Sequence, residues 1–355
     1  MKKAIECIGY FLRLGLTGFG GPLAVIAQMQ RDLVVEKKWI SAEEFRQTLS
    51  LIKSMPGPVS FQMILYVARK HSGTFVALLS GIVFILPAFL MMILLAEFYA
   101  DYKQNVSLST FLEGMQAGAF ILILVALRDI ARPYYSRSRF WAFLILSILF
   151  IGFAQVHEAI VIIVMGLIAV MYRRLGQATL RSFIPMDLIL VCLKAGALAF
   201  GTGLTIVPLL HSDFVSLHHW ITHEEFMDAL AFGQITPGPV MVTVTFLGYK
   251  LWGWVGAIIT TICVFLPSAV HMLTWFPHAV GWMNRQKWVQ DFVLGATAAL
   301  AAGIILVLIS IGQGFTLALV VIPLCLLGLM TKFKWPSWTL IVGTGLIHLM
   351  LTYLH

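Results

Sequence analysis

The sequence predicts an all-α polytopic membrane protein, made of two homologous halves arranged as an inverted-topology repeat. Three observations carry this: an apolar composition, motifs that recur 181 residues apart, and basic residues on opposite sides of matching segments. Of 355 residues, 60% are hydrophobic and 11% charged, with mean hydropathy +0.92. A soluble domain cannot bury that much apolar surface. Runs such as Leu78–Ala100, Phe111–Ala131, Asp187–Leu210 and Val255–Trp275 reach the length of about 20 residues that crosses a bilayer. The alternating short strands of a membrane β-barrel are not what this chain offers.

The opening stretch, MKKAIECIGYFLRLGLTGFGGP, reads as a retained first helix: it has no convincing small-residue cleavage site, and Arg13 interrupts its apolar run. Cys7, Cys192, Cys263 and Cys325 stand far apart in apolar segments. They are expected to be small buried hydrophobes, with neither metal nor cofactor. The net charge of +8 reflects membrane topology rather than a nucleic-acid partner.

A shift of 181 residues places Phe19–Gly20 on Phe200–Gly201, Asp32 on Asp213, Trp39–Ile40 on Trp220–Ile221 and Glu43–Glu44–Phe45 on Glu224–Glu225–Phe226. It also places Pro56–Gly57–Pro58 on Pro237–Gly238–Pro239, and 15 of 41 positions between Phe19 and Val59 are identical. The halves are therefore 1–180 and 181–355. Such duplication is common in secondary transporters, where interrupted helices of both halves meet near the bilayer midplane.

Loop charges orient the halves, because Lys and Arg gather on the cytoplasmic side. The segment after the first helix carries Arg31, Lys37, Lys38, Arg46, Lys53, Arg69 and Lys70, whereas its counterpart His211–Thr236 has no Lys or Arg. Arg128, Arg132, Arg137 and Arg139 likewise face an uncharged turn around Ile311–Gly314. The bias reverses at Arg285/Lys287 and Lys332/Lys334. An inverted arrangement with a cytoplasmic linker puts 18 basic residues inside and leaves Lys2, Lys3, Lys103 and Lys250 outside. It requires an odd number of crossings per half. Five spans each, about ten in all, satisfy it if the segments around PGP form two re-entrant helical hairpins. Proline lacks an N–H and fixes φ, so PGP marks each hairpin tip. Such tips must be buried in protein or line a polar cavity.

Arg13 and Lys194 coincide under the same shift, each six residues before the Phe-Gly pair. A cation inside a membrane helix costs about 2.5–3.5 kcal/mol on insertion scales, which makes both candidates for function. The alternatives are snorkelling, or pairing with an acid such as Glu6 or Asp187. Gly20, Gly21 and Pro22, with Gly201, Thr202 and Gly203, interrupt the same two helices. They expose amides suited to anions, although glycines can equally serve close helix packing. Lys53, Ser54, Gln234 and Thr236 flank the tips. Together with Pro56, Gly57, Pro58, Pro237, Gly238 and Pro239 they complete a candidate anion site. Glu43, Glu44, Glu224 and Glu225 follow Ser41 and Thr222, which reads as helix capping, with proton coupling as the alternative role. His211, His218, His219 and His223 crowd one segment, but without HExxH or a repeated cysteine ligand they argue weakly for zinc.

The ordered series FGGP, a Trp-containing acidic turn and PGP, then FGTGLTIVP, W, EEF, QITPGPV and FLGY, closely resembles the chromate transporter family in its long two-domain form. The resemblance covers nearly the whole chain. It implies a multi-pass plasma-membrane carrier, not an enzyme, that takes a small inorganic oxyanion: chromate, with sulfate as a related substrate. The family is associated with chromate efflux and resistance. Its motif residues fall here on Phe19–Pro22, Trp39, Pro56–Pro58, Phe200–Gly203, Trp220 and Pro237–Pro239. Two positions depart from its pattern: Val25 stands where a His is common, and Lys53 where a Gln often precedes PGP. A passive anion channel, a membrane-embedded metalloenzyme using the second-half histidines, and a structural subunit are the rival readings. The expected surroundings are the lipid bilayer and, as an option, a second copy in a homodimer.

Overall fold

The structure is a computed structural model that describes residues 2–19, 21–53, 55, 57–103, 105–152, 157–171, 186–199, 203–276, 287–312, 315–333 and 335–354. Among these the chain is helical, with no strand. The first half contains α1 (Lys2–Thr17), α2 (Gly21–Met29) running into a π-helical turn (Gln30–Glu36), α3 (Ala42–Ile52) and α4 (Val59–Ser72). It continues with α5 (Thr74–Tyr102), α6 (Val106–Ala131), α7 (Ser138–Gly152) and α8 (Glu158–Met171). The second half repeats the order: α9 (Met186–Leu198), α10 (Val207–His211) with its own π-helical turn (Ser212–Leu217), α11 (His223–Ile235), α12 (Thr243–Leu273), α13 (Lys287–Gly312), α14 (Leu317–Phe333) and α15 (Trp338–Leu354).

Among the described residues one difference between the halves stands out. α12 is continuous where the first half has α4 and α5, yet its kink falls at Trp252–Gly253. Gly253 (φ +57) aligns with Gly73 (φ +90), the residue that separates α4 from α5. Both positive-φ turns are conformations that glycine adopts without a Cβ penalty.

Among the described residues four helices are long and apolar enough to cross a membrane, within Thr74–Tyr102, Val106–Tyr134, Val240–Leu273 and Asp291–Ser310; shorter apolar helices accompany them. Along α5 an exposed stripe runs through Leu78, Ile82, Leu86, Leu90 and Leu94. On α12 the matching stripe is Ile258, Ile262, Leu266 and Val270. An apolar stripe at helical spacing turned outward, with Ser80, Phe84 and Ala88 buried behind it, is the signature of a lipid-facing helix. This is a multi-pass membrane protein.

Packing is close where side chains are smallest. α1 crosses α5 at Gly15, where a Cβ would stand 2.5 Å from the Phe84 carbonyl oxygen, and α9 crosses α12 at Gly196 against the Val264 carbonyl. These two contacts are the same contact in the two halves, and small residues allow helices this approach. The later helices exchange partners. α8 packs on α13 and α15 on α6, each pair joining one half to the other. At the second crossing Gly114 meets the Gly345 backbone and Gly118 meets Ile341. The halves are thus interleaved. Cys7, Cys192 and Cys263 are buried as expected, but Cys325 is exposed on the outer face of α14.

Candidate functional site

Each hairpin tip is built from helix capping upward. Ser41 Oγ accepts from the Glu44 amide at 3.2 Å to start α3. Thr222 starts α11 with a reciprocal capping box to Glu225. The two helices end at Ile52 and Ile235, shortly before PGP, and the tip glycines turn with φ +116 at Gly57 and φ +103 at Gly238. Pro58, in extended conformation, then leads into α4, and Pro239, likewise extended, into the 3-10 turn Val240–Val242 before α12.

The tips dock across the halves. The Gly238 amide donates to the Gly18 carbonyl at 3.1 Å, and the Gly57 amide donates to the Ala199 carbonyl. Gly18 and Ala199 are equivalent residues, each just past the end of α1 or α9. Each tip also rests beside the buried residue that follows a helix-interior proline: Gly57 against Ser268 after Pro267, and Gly238 against Ala88 after Pro87. The glycine breaks and the PGP tips therefore do converge. The tip glycine amides are nonetheless engaged by carbonyls rather than open to a ligand.

The remaining expected residues take different places. Gly21 and Pro22 open α2, and Gly203 opens a short 3-10 turn. Lys53 is exposed at the end of α3. Thr236, buried, donates to the Gly233 carbonyl at 3.1 Å. Gln234 is also buried, and its Nε2 has no hydrogen-bond partner among the described residues. Pro237 and Pro239 are buried. Gly20, Ser54, Pro56, Gly201 and Thr202 lie outside the described residues.

The two matched cations differ. Lys194 Nζ pairs with Asp213 Oδ2 at 2.6 Å, while His157 Nε2 meets Asp213 Oδ1 at 2.8 Å and Lys194 Nζ at 3.1 Å. The sequence suggested Glu6 or Asp187 as acidic partners; the acid beside Lys194 is Asp213, which is 1% exposed. In the first half, Asp32 occupies the equivalent place but is held by the Tyr10 hydroxyl and by Arg31, both at 3.1 Å. The Arg13 guanidinium makes no hydrogen bond or ion pair among the described residues. It lines a pocket of about 230 Å³ with Tyr10, Gln28, Arg31, Asp32 and Glu36.

The acidic pairs at the hairpin starts are held by bases. Glu43 bonds Arg46 at 2.6 Å and Gln47 at 2.7 Å, and the Arg46 bond holds its carboxyl below the usual range. Glu44 bonds Lys70 and Tyr66. Glu225 bonds Lys103 at 3.0 Å and also Lys250. Burial alone raises the Glu225 carboxyl, but Lys250, the Thr222 amide and Lys103 outweigh it and bring it down to about 2. Glu224 is exposed. His223 Nδ1 meets His211 Nε2 at 3.0 Å, and His219 is exposed.

Two polar groups escaped the sequence reading. Beside the first tip, Gln62 Nε2 meets His271 Nε2 at 3.2 Å, and the buried Ser60 and Ser268 hydroxyls have no partner among the described residues. Polar residues spaced three apart inside an apolar run (Ser268 and His271) were the available signal. The other group centres on Asp228, 3% exposed in α11. Tyr99 donates to its Oδ2 at 2.7 Å and Gln116 to its Oδ1 at 2.8 Å. Burial pushes this carboxyl up, against those two bonds.

The chromate transporter family's sequence profile matches residues 5–171 and again 186–349. The chain belongs to the chromate transporter family. It is 30% identical to the chromate transport protein of Cupriavidus metallidurans, over 97% of this chain and 92% of that one. It is also 30% identical to a probable chromate transport protein of Synechococcus elongatus, over 93% and 89% of the two chains. A chromate transport protein of Pseudomonas aeruginosa matches at 30% over 75% of this chain and 71% of its own length. No solved structure matches. In this member of the chromate transporter family, the repeated profile coincides with the two helix series whose tips and breaks interlock.

Proposed function

We propose that this protein carries a tetrahedral oxyanion, chromate first and sulfate second, out of the cytoplasm across the cell membrane. The observation that carries the reading is Arg13, an exposed guanidinium with no ion pair among the described residues, lining a polar pocket about one and a half turns before the Gly18 break. A cation inside an apolar membrane helix is retained chiefly where it serves a substrate or ion path. Three relatives named for chromate transport support the substrate class. Ser60, Ser268 and Gln234 near the tips, whose Oγ, Oγ and Nε2 atoms have no partner among the described residues, are further donors for oxygen atoms of such an anion.

The proposed topology is inverted, with about ten spans and two re-entrant hairpins. α3 and α4, with 11 and 14 residues, extend only about 16 and 21 Å at 1.5 Å per residue, short of a hydrocarbon core of about 30 Å. That supports hairpins that enter and return. Reporter fusions after residues 103 and 333 should fall on opposite sides of the membrane; the same side for both overturns the inversion. Efflux of a dianion is assisted by an inside-negative potential, at about 2.3 kcal/mol per charge per 100 mV.

The test is chromate and sulfate flux in oriented vesicles, comparing wild type with Arg13→Gln and Lys194→Gln. Arg13→Gln should lower flux at unchanged thermal stability. Wild-type rates in both variants would refute the assignment of this site.

A further inference from the structure

Every acid that the sequence offered for coupling, apart from exposed Glu224, is tied to a base: Glu43 to Arg46, Glu44 to Lys70, and Glu225 to Lys103 and Lys250. Asp228 is different. It is deeper than any of them, and both of its oxygens are held by neutral donors from the other half, Tyr99 of α5 and Gln116 of α6. No basic side chain pairs with it among the described residues. A buried carboxylate without a counter-ion is the group whose charge depends most on proton supply.

Asp228 also has a route to water. It lines a pocket of about 430 Å³ together with Lys103, Glu113, Gln116, His223 and Glu224. Of the charged groups around it, Glu224 is exposed and the others face partners of their own. Lys103 and Lys250 bind Glu225, His348 of α15 lies 3.5 Å from Glu113, and His223 faces His211. Its neighbours suit both states. A Tyr hydroxyl can donate to a carboxylate oxygen or accept from a carboxyl O–H, while the Gln116 amide remains a donor to the other oxygen in either state.

We propose that Asp228 is a proton-binding site that couples proton movement to movement of the substrate. A proton from pocket water forms an O–H bond on Oδ2, and the Tyr99 hydroxyl turns to accept it; release returns the proton to water. The charged form holds α11 to α5 and α6 through two charge-assisted bonds, and the neutral form weakens both. Because α11 ends at the tip that docks on Gly18, proton occupancy sets how firmly that tip is held. The first half has Gln47 at the equivalent position, so the device belongs to one hairpin only.

The inference rests on the transport reading, and the experiment separates the two. The full chain is reconstituted in vesicles containing a pH-sensitive dye, with the membrane potential clamped. Chromate counterflow and proton movement are then followed together. Wild type should show counterflow, and a chromate gradient should move protons. Asp228→Asn should keep counterflow within about twofold and lose the proton signal and the acceleration by an imposed pH gradient. Tyr99→Phe, which removes one bond to the charged form, should move the pH midpoint of flux upward by about one unit. Counterflow without proton movement in wild type, or an unchanged pH-gradient response in Asp228→Asn, overturns the coupling role alone. No counterflow in wild type overturns the transport reading as well.

Discussion

The amide of Gly238 donates to the carbonyl of Gly18 across 3.1 Å, tying the tip of the second hairpin to the end of the first helix. Its twin ties Gly57 to Ala199. Helix ends leave carbonyls unsatisfied, and a helix end in apolar surroundings needs partners from elsewhere in the protein. Here each half supplies the partner for the other. A hairpin can withdraw only by breaking a main-chain bond between halves.

The two tip glycines should respond unequally to substitution. Both have positive φ, which strains alanine by about 1–3 kcal/mol. At Gly238 a Cβ has room, its nearest neighbour being Ala88 Cβ at 3.5 Å. At Gly57 it would run into the Ser268 hydroxyl and the Gln62 amide. Gly57→Ala should therefore lower thermal stability in detergent more than Gly238→Ala, and equal losses would contradict this packing.

Lys194 and Asp213 should be strongly coupled in stability. Asp213→Asn relieves a buried charge, whereas Lys194→Gln leaves one, at a cost of about 3–5 kcal/mol. The double variant should recover most of that loss. Additive losses in a double-mutant cycle would show that the pair does not act as one unit.

Glu225 makes the second hairpin acid-sensitive. Its folded value, about 2, lies below the ordinary 4.5, so its contribution is fully present above 4.5 and is lost as pH falls toward 2. Thermal unfolding of wild type between pH 5 and 3 should show a drop that Glu225→Gln lacks. Parallel curves for the two proteins would exclude Glu225 as the source.

Ser268→Ala installs the residue that the first half already carries at Ala88. Removing a buried hydroxyl that has no partner among the described residues should leave stability unchanged or raise it, by about 1–3 kcal/mol at most. If Ser268 donates to substrate, the KM for chromate should rise in the same variant. A lower melting temperature with an unchanged KM would assign the hydroxyl a purely structural role.

Much of this was legible because repetition filters out accident. The alignment of PGP with PGP located both tips, and the paired cations pointed to α1 and α9. The repeat compares each residue only with its own counterpart, however, so contacts between unlike elements stayed hidden. Nothing in the alignment says that α8 docks on α13, or that a tip meets the opposite break. The aligned Asp32 and Asp213 did carry a signal, since a repeated acid 19 residues after a repeated cation is a natural partner for it. Asp228 carried none of that kind, because Gln47 stands in its place. Its meaning comes from burial and from Tyr99 and Gln116, which only folding brings together.

The exchange of α8 and α15 between halves also sets an order of events during biosynthesis. As the chain leaves the ribosome, α8 is complete before any part of α13 exists, and α6 must wait for α15, which lies far further along the chain. The first half thus enters the bilayer with its glycine-lined docking faces bare, and lipid or an insertion chaperone has to cover them until α13 and α15 have emerged.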